Sequence, residues 1–128
     1  MKRTILSILF ATHSALAMDR FAALSMIESG DNDFARGKAG ELSRFQIRRD
    51  VWTNITSQPI SMATQPKAAE AVARTIAGKR CQAFEIQQHR SPTDLEFYIL
   101  WNAPSQIGKP SRVVLERARR FSNLVAIK

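Results

Sequence analysis

A carboxylate at the end of an apolar helix can hold a proton close to neutral pH, and Glu28 occupies such a position. Residues 21–29, FAALSMIES, predict a short helix on which Phe21, Leu24 and Ile27 recur at every third position. Asp19 is its expected N-cap and Gly30 its expected C-cap. Apolar neighbours available to Glu28 are Met26, Ile27, Phe45 and, from far along the chain, Trp101. A loop folded over the carboxyl would remove water and lift its pKa from about 4.3 toward ~6, the range of a general acid for glycosidic cleavage. The next residues hold more carboxylates, Asp31, Asp33 and Glu41, before the triplet Phe45, Gln46 and Ile47. Hydrolysis of a glycosidic bond uses a second carboxylate, roughly 5 Å away in retaining and about 6.5–9.5 Å away in inverting enzymes. Glu41 or Asp31 could fill that role; Glu41 also reads as a solvated loop charge. The Asp and Asn content of residues 31–33 imitates a calcium loop, but Leu42 stands at the twelfth position, where an acid is required. No metal site and no cofactor is expected.

Laid on this chain without a gap, the pattern E-S-x-x-N-x-x-A-x-S-x-x-G-A-x-G-L-M-Q meets Glu28, Ser29, Asn32, Ala35, Gly40 and Gln46. A second pattern, Y-N-A-G, is echoed by Trp101, Asn102, Ala103 and Pro104. The chain thereby resembles the lytic transglycosylases, bacterial cell-wall enzymes with a goose-lysozyme-like fold. The departures include Glu41 in place of alanine, Ser43 in place of the second glycine, Trp101 in place of tyrosine and Pro104 in place of glycine. The resemblance implies that Glu28 is the catalytic acid and then base, and that Ser29, Gln46, Trp101, Asn102 and Ala103 line the saccharide cleft. It also implies cleavage between N-acetylmuramic acid and N-acetylglucosamine without water, leaving a 1,6-anhydro end. Trp has no hydroxyl, so a bond from residue 101 to Glu28 would have to come from the indole N–H. Trp101 could stack on a pyranose face or simply pack in the core.

The elements that must position these residues read as helices, with at most one small hairpin within residues 34–44. A second helix is expected near residues 46–56. Pro66 suits a first helical position, with Ala69, Val72, Ala73 and Ile76 as the apolar face. Gly78 is a candidate end or bend of this helix, with Cys81, Phe84 and Ile86 continuing on the core side. Thr93 and Glu96 form a capping-box pattern ahead of an apolar run, 95–101, that Pro104 stops. Pro110 or Ser111 opens a last helix carrying Val113, Val114, Arg117, Phe121 and Leu124. The fold class is all-α: one small, lysozyme-like helical domain.

At 128 residues and net charge +8, the chain suits an anionic partner: nucleic acid, an acidic membrane or a wall polymer bearing peptide carboxylates. Residues 1–17 read as a signal peptide: Lys2 and Arg3, an apolar run, then Ala15, Leu16 and Ala17 as an A-x-A cleavage site. An uncleaved anchor is the competing reading, although the run falls short of the roughly 20 apolar residues of a membrane span. The domain is then residues 18–128, exported to the periplasm or secreted, with no membrane span after cleavage, peptidoglycan glycan strands as partner and no nucleic acid. The single Cys81 excludes an intrachain disulfide. Two rivals stand beside the transglycosylase: a hydrolysing muramidase using Glu41 or Asp31, and a catalytically weak wall-binding accessory protein. A basic DNA-binding helical protein is a more distant third.

Overall fold

The structure, a computed structural model, describes residues 18–126, so the expected signal peptide lies outside the described residues. Among them the chain forms five α-helices and no sheet, in agreement with an all-α domain. None of these helices is long and apolar enough to cross a membrane.

Helix α1 spans Arg20–Ser29. Asp19 precedes it without making a side-chain cap, and its carboxylate instead lies 3.5 Å from Arg74. Gly30 closes the helix at φ 64°, its N–H reaching the carbonyl of Met26. Asp31 is left-handed too, at φ 61°, and accepts a 2.6 Å bond from the buried hydroxyl of Ser25. Such tethering suits Asp, which tolerates this region better than most residues.

The segment from Asn32 to Arg48 is a braced loop. Two isolated antiparallel bridges, Arg36 with Leu42 and Leu42 with Ile47, stand where a hairpin was expected. Arg44 grips Asp33 at 2.7 and 3.1 Å, and buried Phe45 and Ile47 anchor the loop in the core. Gln46 adopts φ 52° and Ile47 belongs to a bridge, so helix α2, Arg49–Ile55, starts three residues later than its composition predicts. Trp52 is buried and donates to the carbonyl of Gln58, closing the connection into a 3₁₀ turn, Ile60–Thr64.

Helix α3, Pro66–Gln88, does begin at proline and buries Ala69, Val72, Ala73 and Ile76. It runs through Gly78 rather than ending there. A helical glycine costs only about 1 kcal/mol, and Phe84 is still buried beyond it. Ile86, expected on the core side, is 70% exposed.

Helix α4, Asp94–Asn102, opens with the predicted capping box between Thr93 and Glu96. Its residues Phe97, Tyr98, Ile99, Leu100 and Trp101 are all buried, which makes α4 the central helix. Helix α5, Arg112–Val125, is capped by Ser111 and packs Val114, Ala118 and Phe121 against α4; Val113 points outward. Phe121 stacks on Phe97 at 5.6 Å, and Phe21 meets Phe97 and Phe45 edge-on. Full burial of each such side chain contributes roughly 1.5–3 kcal/mol.

Candidate active site

Burial is decided by what packs over a helix end. Glu28 lies in the last turn of α1, yet its side chain is only 6% exposed because α4 and α5 cover it. From α4, the Tyr98 hydroxyl donates to Glu28 Oε1 at 2.7 Å. From α5, Arg117 Nη2 stands 3.6 Å from Oε2, close enough for charge but not for a hydrogen bond.

Burial pushes the Glu28 carboxyl above its ordinary value; Tyr98 and Arg117 oppose that rise and Glu41 adds to it. Desolvation wins. The phenol of Tyr98 is itself pushed up, first by burial and then by Glu28, so it remains a donor. With Oε1 occupied by Tyr98, Oε2 is the oxygen free to carry and give a proton.

Glu28 opens into a cleft of about 260 Å³. That is below the roughly 300–1,000 Å³ of a site engulfing a drug-sized molecule, and it suits a short segment of an extended ligand. The loop contributes Glu41, Gln46 and Arg48 to the cleft, and the end of α4 contributes Trp101 and Asn102. Glu41 Oε2 accepts from the Ala39 N–H at 3.0 Å, which turns this carboxylate inward over Gly37. A Cβ at residue 37 would collide with the Glu41 carboxylate and lie 2.8 Å from Gln46 Oε1, so a side chain there would displace the ends of both. Gln46 Nε2 donates to the carbonyl of Ser43 at 2.8 Å, fixing its amide at the cleft wall.

The remaining sequence candidates divide sharply. Trp101 borders the cleft but is only 8% exposed, wedged edge-on against Phe45, so packing dominates and little of the ring is open for stacking. Ser29 does not line the cleft. Its hydroxyl donates to the carbonyl of Arg44 at 2.8 Å and accepts from the Asn32 N–H, sewing the loop to α1. Ala103 is also absent from the lining; it caps α4 with its N–H on the carbonyl of Ile99. Asp31 is bonded to Ser25 and Asp33 to Arg44, so of the loop carboxylates considered only Glu41 shares the cleft with Glu28. Ser43, where the resembled pattern has glycine, adopts φ 64° and buries a hydroxyl that has no partner among the described residues.

Sequence reasoning missed Tyr98, Arg117 and Arg80. Tyr98 was signalled as the one hydroxyl within the apolar run 97–101 of α4, and Arg117 as a cation interrupting the apolar stripe of α5. Among the described residues, no three His, Cys, Asp or Glu side chains converge as a metal would require. No protein-family model, curated protein or solved structure matches this chain.

Proposed function

We propose that the chain cleaves the β-1,4 bond between N-acetylmuramic acid and N-acetylglucosamine in peptidoglycan, with Glu28 as general acid and then base. The observation that carries this reading is the Glu28 carboxyl itself: nearly buried, raised in pKa, hydrogen-bonded through one oxygen and open to a cleft through its surroundings. Burial holds the proton before reaction. Once Oε2 passes it to the leaving glycosidic oxygen, Tyr98 and Arg117 stabilise the new carboxylate, so the same site favours retention first and release later. The carboxylate then takes the proton of the muramic acid C6 hydroxyl as that oxygen attacks C1, closing a 1,6-anhydro ring. An internal nucleophile has a high effective concentration, so neither a second carboxylate nor water is needed.

A second reading has its own support. Glu41 shares the cleft and acts electrostatically on Glu28, and hydrolysis would use it as the second carboxylate that orients water. Digesting purified peptidoglycan with the protein and weighing the fragments separates the two. Anhydro ends, one water lighter, are expected. Reducing ends would transfer the reaction to Glu28 with Glu41, and an undigested wall would overturn both readings.

A further inference from the structure

A neutral glycan has no use for excess positive charge, yet the cleft holds Arg48, Arg80 and Arg117 against Glu28 and Glu41. With Glu28 protonated, three guanidiniums face one carboxylate. Two of the three are engaged: Arg117 lies beside Glu28, and Arg48 pairs at 3.2 Å with Asp50 on the exposed rim. Arg80 is different. Its Nη1 donates to the carbonyls of Leu100 and Trp101, at the negative end of the α4 dipole. Those bonds fix the plane of the guanidinium and leave Nε and Nη2 without hydrogen-bond partners among the described residues. Half-buried and paired with no carboxylate among the described residues, Arg80 is a cation waiting for an anion; burial alone draws its pKa downward.

A peptidoglycan strand brings one kind of anion to such a cleft. Muramic acid carries a lactyl branch that ends either in its own carboxylate or in a peptide bearing carboxylates, and a planar guanidinium binds a carboxylate through paired hydrogen bonds. We infer that Arg80, with Arg48 at the rim, forms a carboxylate-recognising subsite that separates acid-bearing glycan strands from neutral ones. This specificity rests on the glycan-cleaving reading of the same cleft.

Calorimetric titration of the Glu28→Gln chain tests it without turnover, using soluble ligands of equal sugar length. These are a chito-oligosaccharide, a muramic acid oligosaccharide with free lactyl groups, the same strand carrying stem peptides, and that strand with its peptide carboxylates amidated. An acid-bearing strand is expected to bind about tenfold tighter than the neutral one. Loss of this gain on amidation assigns the anion to the peptide; a gain already complete with free lactyl groups assigns it to the branch. Arg80→Gln should abolish most of the gain and Arg48→Ala part of it. Arg80 also holds the end of α4, so its variant is checked by thermal melting, while the ligand series uses an intact Arg80. Equal binding of all four ligands, with wall cleavage by the unaltered protein intact, overturns the subsite alone. A preference that survives both arginine variants overturns it as well. Absence of both binding and cleavage overturns the subsite and the glycan reading together.

Discussion

Glu28 at the end of α1 and Glu96 at the start of α4 each face an arginine and a hydroxyl-bearing residue. Arg90 holds Glu96 by two bonds of 2.7 and 2.8 Å, and the Thr93 N–H adds a third at 3.0 Å. These hydrogen bonds, Arg90 first, hold its carboxyl down at about 2. Glu28 receives one hydrogen bond, from Tyr98, while Arg117 stays at 3.6 Å. There desolvation outweighs both, and the carboxyl rises. The kinds of partner are alike; their geometry and the access of water are not. A helix end in water with a two-pronged arginine yields a permanent anion that builds structure. A helix end covered by two others, with its arginine held off, yields a group that exchanges a proton.

The largest effect expected from breaking this contrast is Glu28→Gln. The amide keeps the shape but cannot donate a proton, and removal of a general acid lowers turnover by roughly 10²–10⁴-fold. Stability should move the other way. Because the folded pKa of Glu28 is raised above its ordinary value of 4.5, its contribution is full below that pH and is lost as pH rises through the folded value. Gln mimics the protonated form, so the variant should melt higher than the parent at pH 7 and match it in acid. A variant that melts lower at pH 7 would mean that Tyr98 and Arg117 outweigh burial.

Tyr98→Phe sharpens the comparison by removing the hydrogen bond and keeping the ring. The hydroxyl lowers the Glu28 pKa, so without it the alkaline limb of the pH–rate profile should move to higher pH. Turnover should fall roughly tenfold, the cost of a charge-assisted bond missing once Glu28 is ionised. An unmoved limb would reduce Tyr98 to packing against Phe121.

The punctuation of the fold was readable because it is local: Gly30 at a left-handed cap, Pro66 at a first turn, Thr93 and Glu96 in a box. Tyr98 was not, because motif alignment compares positions one by one and puts Trp101 in the tyrosine's place. Residues three apart share a helix face, so the hydroxyl reaches Glu28 from one turn earlier. The outward turn of Ile86 depends on which side of α3 is covered, and no local pattern carries that. The commitment of Ser29 to Arg44 likewise depends on the return path of a loop fifteen residues on. Glu41 was recognised as a candidate, but its inward turn needed Gly37 to make room.

The smallest effects belong to the other glutamate. Thr93→Ala removes the cap and should cost about 1 kcal/mol, with no change in the pH–rate profile. Glu96→Gln is the finer probe, since glutamine can still complete the box while losing the charge that Arg90 grips. The folded pKa of Glu96 is depressed, so its contribution is present above 4.5 and fades as pH falls toward about 2. This variant should therefore melt below the parent at pH 7 and approach it in acid, where Glu28→Gln melts above the parent at pH 7 and approaches it from the other side. Two conservative Glu→Gln changes that depart from one parent curve in opposite directions would show that burial separates the two carboxyls. Departure in the same direction would remove that distinction, and with it the physical case for Glu28 as the proton donor.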